Sequence, residues 1–152
     1  MAQLRSYDEL VAFLVAQKIP HKADAANHAV QIATQPPALP GPAFVRWETK
    51  IPYLQIMQQI TGPVSDERVR EIETAISHVN DTAMIPGYGF SYTGKVAYYR
   101  LSVPVYDGSI SSESLDRAIT AVLNNAAQLE PALKKVVEGA AGAGVLSYLT
   151  RN

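Results

Sequence analysis

The stretch GFSYTGKVAYYRLSVPV, residues 89–105, decides between two kinds of fold. Its start matches G-x-x-x-x-G-K, but a phosphate-binding loop continues with Ser or Thr and then opens a helix whose free amides hold phosphate. Here Val96 follows Lys95, and the residues after it alternate and are rich in β-branched and aromatic side chains. The stretch therefore predicts two strands joined by a hairpin turn at Thr93 and Gly94, with Gly94 supplying the positive φ.

Three earlier segments also show the period-two alternation of half-buried strands. They are HAVQIATQ (residues 28–35), AFVRWETK (43–50) and YLQIMQQI (53–60). A proline-rich segment, residues 36–42, separates the first two. We interpret it as a stiff connection between strands, with a polyproline ligand motif as the alternative. Together these segments predict an antiparallel meander with one buried face.

Three segments show helical periodicity and helix-start signals. The first begins with a capping box at Ser6, and the second begins at Ser65 with acidic residues in its first turn. The third runs from Ser111 or Ser112 to about residue 138, and Pro131 predicts a kink or a split in it. Each of the three carries an apolar stripe that needs a surface to pack on.

These elements follow one another in the order α-β-β-β-α-β-β-α. That order predicts an α+β fold in which an antiparallel sheet of about five strands has its helices packed on one face. Residues 1–138 are expected to form a single domain, and residues 139–152 a flexible, glycine-rich tail. The apolar residues near the end of that tail leave three placements open: on the sheet, on a partner chain, or disordered.

Composition narrows the function classes. The chain has 152 residues, 47% of them apolar, no cysteine, and a formal net charge of −1. This balance provides no net field for nucleic acid, and no apolar run approaches the length of a membrane span. Without cysteine, disulfides and thiolate chemistry are excluded. We therefore expect a soluble, cytoplasmic protein that binds neither nucleic acid nor membranes.

Candidate catalytic groups are sparse. The acidic residues cluster at helix starts, where capping and dipole effects explain them, and the three histidines lack ligand-like neighbours. The only conceivable chemical group consists of His78, Asp81, Tyr92 and Lys95, around the hairpin. The sequence therefore predicts no catalytic residue, no metal site and no cofactor. A small-ligand or enzymatic site at Lys95 is kept as the weaker alternative.

With these elements assigned, the chain resembles the YbjN domain family of bacterial sensory transduction regulators over about residues 6–138. Residues 69–136 carry the resemblance. In them a helix ends at Asn80, a hairpin has YRLSVP in its second strand, and an acid-glycine turn precedes a helix containing Pro131. The turn at Thr93 to Lys95 departs from the family's acidic turn, and the glycine-rich tail is an addition. The resemblance implies a type III secretion chaperone-like fold and a non-enzymatic protein that binds another protein, often as a homodimer.

The predicted sheet offers a surface for such binding. If helices cover the face that contains Leu54, Ile56 and Ile60, aromatic, methionine and arginine side chains remain on the other, as in many interfaces. The tail or an identical subunit could instead cover that face, which would make the chain a structural homo-oligomer. The residues predicted to contact a partner are Trp47, Tyr53, Met57, Tyr98 and Arg100.

Overall fold

A computed structural model describes residues 2–33, 39–48 and 50–149. Its strands and helices, in chain order, are β1 (Gln3–Leu4), α1 (Tyr7–Ala16), β2 (His21–Asp24), β3 (Ala29–Ile32), β4 (Ala43–Trp47), β5 (Tyr53–Gln59), α2 (Asp66–Thr82), β6 (Tyr88–Ser91), β7 (Val96–Pro104), β8 (Ile110–Ser111), α3 (Ser112–Val137) and α4 (Val145–Leu149). The fold is α+β, and its antiparallel sheet carries its helices on one face, which confirms the predicted class.

The main sheet has six strands in the order β2-β3-β4-β5-β7-β6, and β1 pairs with β8 in a separate two-stranded sheet. The prediction of about five strands missed β2, which pairs antiparallel with β3 across the short 3₁₀ turn Ala25–Asn27. The reason is physical. β2 is a mostly exposed edge strand of sequence HKAD, so it has no apolar alternation to reveal it.

The strands bury one side only. In β5 the residues Leu54, Ile56 and Gln58 are buried, while those between them are half-buried. Ile56 lies opposite Val45 of β4 and Leu101 of β7, so the buried side chains form rows across the sheet. We call this side the covered face, and its opposite the open face.

The helices that pack on the covered face begin and continue largely as predicted. Ser6 caps α1, since its Oγ accepts the Glu9 amide at 3.2 Å, and Ser111 caps α3 by accepting the Ser114 amide at 3.0 Å. Ser65 is the N-cap residue of α2, but its side chain makes no capping hydrogen bond. The predicted split of the last helix is wrong, because α3 continues unbroken through Pro131.

Folding back was one of the placements left open for the tail, and its described part, residues 139–149, folds back against α2 and α3 rather than onto the sheet. A 3₁₀ turn, Gly142–Gly144, leads into α4, and Val145 is fully buried in the same apolar core as the sheet and the long helices. The glycine-rich composition suggested flexibility, but these glycines allow close approach between helices. Four parts of the predicted elements lie outside the described residues: 34–35 of the first predicted strand, 36–38 of the proline-rich connection, 49 of the second predicted strand, and 150–152 of the tail.

Two polar contacts, to Ala140 and Gly142, hold this segment to α2, and a third joins α2 to the end of α3. The Arg68 guanidinium donates to the carbonyls of Val136 at 2.7 Å and Ala140 at 2.6 Å, and the Gly142 amide donates to the Glu71 carboxylate at 2.6 Å. A Cβ on Gly142 would lie 2.0 Å from the Glu71 carbonyl oxygen, so only glycine fits there.

None of the described helices is both long and apolar enough to cross a membrane.

Candidate functional site

The stretch that resembled a phosphate loop is a hairpin, as predicted, formed by β6 and β7. Its connection has four residues, 92–95, rather than two, and the left-handed conformation falls on Lys95, with φ of 55°. The prediction that Gly94 supplies the positive φ is therefore wrong. A longer connection places the left-handed residue next to the second strand instead of at the centre of a tight turn.

The only conceivable catalytic group does not converge. The Lys95 ammonium group forms an ion pair with Asp66 in the first turn of α2, and the Tyr92 hydroxyl bonds to Glu73 in the middle of that helix. His78 lies twelve residues after Asp66, which is about 18 Å along a helix that rises 1.5 Å per residue. Within the described ranges, no three His, Asp or Glu side chains are grouped closely enough to hold a metal ion.

The open face is a surface of the sheet that the described residues leave uncovered. None of its described side chains in β3, β4, β5 and β7 is buried, although the other side of the same strands is. These side chains are Gln31, Phe44, Arg46, Tyr53, Gln55, Met57, Gln59, Tyr98, Arg100 and Ser102.

An apolar row with a cation at one end crosses the centre of the open face. Phe44 lies opposite Met57 in the strand register, and Met57 lies opposite Arg100. Directly opposed residues in antiparallel strands have side chains in contact range. The Arg100 guanidinium carbon lies 5.5 Å from the centre of the Tyr98 ring, which is a cation–π geometry.

Tyr98 owes its position to a glycine on the neighbouring edge strand. Gly89 lies opposite Tyr98, and a Cβ at Gly89 would come within 2.6 Å of the Tyr98 ring. The outer end of the ring therefore lies close to the glycine backbone, and the ring provides a surface for Arg100. The sequence placed Tyr98 and Arg100 on one side of the strand, and the structure confirms that placement.

Tyrosines close one end of the open face. The hydroxyls of Tyr53 and Tyr106 share a hydrogen bond of 3.2 Å, and their rings meet edge to face with centroids 6.1 Å apart. The bond to Tyr53 raises the pKa of the Tyr106 phenol. Beside them, the Gln55 amide donates to the Ser102 hydroxyl at 3.4 Å. Tyr106 was not among the predicted contact residues, because it lies beyond the end of β7.

Trp47 does not belong with the other predicted contact residues. It lies on the covered face, only 8% exposed, opposite Leu54 in the register. The alternation of β4 explains this, since Ala43, Val45 and Trp47 point inward together. The same alternation brings Phe44 to the open face. Phe44 was not among the predicted contact residues, because Trp47 was chosen from this strand instead.

A second concave region lies between α2, β6 and α3. It is a groove of about 340 Å³ lined by Val79, Tyr88, Leu129 and Leu149, with Met84 97% exposed at its rim. The Tyr88 hydroxyl donates to the Asn125 carbonyl at 3.0 Å, and burial raises the pKa of Tyr88 to about 12. Its lining includes no charged side chain.

Asn80 lies in the last turn of α2, which continues to Thr82 rather than ending at Asn80 as predicted, and its side chain has a defined structural role. The Asn80 amide nitrogen donates to the Tyr88 carbonyl at 2.8 Å, and the Asn80 amide oxygen accepts from the Tyr88 amide at 3.1 Å. The side chain thus imitates a neighbouring strand at the outer edge of β6. Helix, asparagine and hairpin therefore form one connected unit, and the family resemblance rests on this unit.

A model of the family described as "Putative bacterial sensory transduction regulator" matches residues 7–135, from the start of α1 almost to the end of α3. The chain belongs to the YbjN family. The description of the YbjN family is of a regulator and not of an enzyme. A comparison with curated proteins found no match.

Proposed function

We infer that this YbjN-family chain is a non-enzymatic regulatory module that binds another protein through the open face. The observation that carries the proposal is the apolar row of Phe44 and Met57, half-buried on an uncovered face and bounded by Tyr98 and Arg100. Aromatic, methionine and arginine side chains are the types enriched in the centres of protein interfaces. The regulator description of the family supports the regulatory part.

The chemistry of this face favours binding over catalysis. A guanidinium such as that of Arg100 cannot be deprotonated in proteins, so it cannot act as a general base. Gln55 and Ser102 contribute an amide and a hydroxyl, and the carboxylate of Glu48 is paired with Arg46. Such groups orient a bound chain by hydrogen bonds. A chaperone-like action, in which the face holds a client protein, and a cytoplasmic location are further parts of the proposal.

Photocrosslinking at single positions tests this function in the cells that express the chain. A photoreactive residue at Met57 should capture one protein partner, which mass spectrometry identifies. The matched control carries the same residue at Val15, which is exposed on α1. Capture from Val15 that is as efficient as capture from Met57 would contradict binding through the open face. A Met57→Asp variant that carries the photoreactive residue at another position should lose the partner, and capture of the partner by that variant would also contradict the proposal.

A further inference from the structure

The charges of the open face indicate the chemistry of what binds there. The ion pairs among the described residues join Arg46 to Glu48, Lys95 to Asp66 and Arg117 to Glu113, and Arg100 is not among them. Arg100 is exposed at the end of the apolar row, on the strand next to the β6 edge, and its guanidinium lies over the Tyr98 ring. A guanidinium that is already held over an aromatic ring loses little further side-chain freedom when it binds. It is therefore well placed to accept a carboxylate as its partner.

The acidic groups on the same side of the sheet are already engaged. Glu48 pairs with Arg46 at 3.4 Å, and its side chain is only 20% exposed. Asp24 accepts the Asn27 side-chain amide at 2.8 Å and the Asn27 backbone amide at 3.3 Å, and the first of these bonds lowers the pKa of Asp24. A cation that approaches from outside therefore competes with these partners for either carboxylate.

A second copy of this chain is consequently a poor occupant of the open face. In a two-fold interface the same patch meets itself, so everything that Arg100 could contact would come from the open face of the copy. The carboxylates that this patch contributes, Asp24 and Glu48, already have partners. Burying an unpaired guanidinium is unfavourable, so this cost destabilises a dimer formed by two open faces. A homodimer through another surface is unaffected.

On this basis, which rests on the proposed function, we propose that the open face binds an acidic, apolar segment of another protein rather than a second copy of this chain. A carboxylate of the segment accepts hydrogen bonds from the Arg100 guanidinium. Apolar side chains beside that carboxylate lie on Phe44 and Met57, which continue the row from Arg100. The charge selects the segment, and the apolar contacts hold it.

Two fluorescent peptides of equal length test the proposal against the full chain. One alternates leucine with glutamate and the other alternates leucine with lysine, and fluorescence anisotropy measures their binding. The glutamate peptide should bind at least tenfold more tightly than the lysine peptide. Arg100→Gln should weaken the glutamate peptide at least tenfold. Arg117→Gln, which removes an exposed cation from α3, should leave its affinity unchanged and controls for net charge.

The outcomes distinguish a failure of the acidic-segment proposal from a failure of the proposed function, which is protein binding through the open face. Equal affinity for both peptides, unchanged by Arg100→Gln but abolished by Met57→Asp, would retain the open face as a binding surface and overturn the acidic segment. No binding of either peptide would also overturn it, and the crosslinking from Met57 then decides the proposed function alone. Sedimentation that shows a dimer lost in Met57→Asp would assign the face to a second copy and overturn the proposal.

Discussion

Ile56 and Met57 are neighbours in β5, yet they belong to opposite sides of the sheet. Ile56 is fully buried between Val45 and Leu101, whereas Met57 is half-buried between Phe44 and Arg100. Helices pack on the first side, and none of the described residues buries the second. One strand thus contributes to stability through its even-numbered positions and to the proposed binding through its odd-numbered positions, so the two roles can be changed independently.

The largest expected effect separates these two neighbours directly. Ile56→Ala should lower the free energy of unfolding by about 2–5 kcal/mol, because it leaves a cavity in a close-packed core. Met57→Ala should cost less than about 1.5 kcal/mol, since its side chain is already partly in water. Urea denaturation followed by circular dichroism measures both. Equal losses would mean that the open face is covered by part of the chain or by a second subunit.

The sequence could predict this division of roles because a strand has a strict period of two. Alternation in residues 53–60 was enough to assign Leu54 and Ile56 to one side and Tyr53 and Met57 to the other. The same rule, applied to β4, assigns Trp47 to the covered face together with Val45. The place of a residue in the alternation therefore decides its face, and the frequency of tryptophan in interfaces does not.

Other features depend on contacts that no local pattern reveals. The close approach of Gly142 to Glu71 joins residues that are 71 positions apart, so a glycine-rich composition alone suggested only flexibility. β2 exists because β3 provides a hydrogen-bonding edge for it, not because its own residues alternate. The left-handed conformation at Lys95 follows from the length of the hairpin connection. Each of these is a tertiary effect that overrides local propensity.

Two glycines in and beside β6 sharpen the comparison of the faces. A Cβ at Gly87 would lie 2.5 Å from the Arg100 carbonyl oxygen and 2.9 Å from the buried Tyr99 ring. The atoms nearest to a Cβ at Gly89 belong to the outer end of the half-buried Tyr98 side chain, and not to backbone. Gly87→Ala should therefore destabilise by about 1–3 kcal/mol, as overpacking does, and Gly89→Ala by less.

Thermal denaturation of the two alanine variants checks this order. Gly62→Ala is the matched control, because a Cβ there meets nothing within 4 Å. Gly89→Ala should also displace Tyr98 from beneath Arg100 and so weaken the glutamate peptide, whereas Gly62→Ala should not. The reverse order of stability, with Gly89→Ala the worse of the pair, would show that the Tyr98 ring is held as firmly as the core.

The edge strand of the sheet, β6, is held to α2 by Asn80. Asn80→Ala removes both hydrogen bonds to the Tyr88 backbone and leaves a partly buried amide and carbonyl without their partners. The expected loss is about 1–3 kcal/mol of unfolding free energy, with faster hydrogen exchange along β6. Asn124→Ala, at an exposed position of α3, should be neutral or slightly stabilising, because alanine favours helix. Unchanged exchange in β6 would contradict the strand-like role of Asn80.

The last effect appears only at alkaline pH and concerns the tyrosines of the covered face. Burial raises the pKa of Tyr88 to about 12 and also raises that of Tyr99. The unfolded chain therefore loses these protons first, at about pH 10, so stability is complete below that pH and falls as pH rises towards 12. One such group contributes a slope of at most about 1.4 kcal/mol per pH unit.

Tyr88→Phe should make this alkaline decline shallower, and the measurement is urea denaturation at a series of pH values from neutral to alkaline. The variant also loses the hydrogen bond to Asn125, which lowers stability by about 0.5–1.5 kcal/mol at every pH and so shifts the curve without changing its slope. Level and slope therefore report different properties of one side chain. An identical slope in the variant would mean that the Tyr88 phenol is solvated in the folded chain, and the groove beside Met84 would then be open to water.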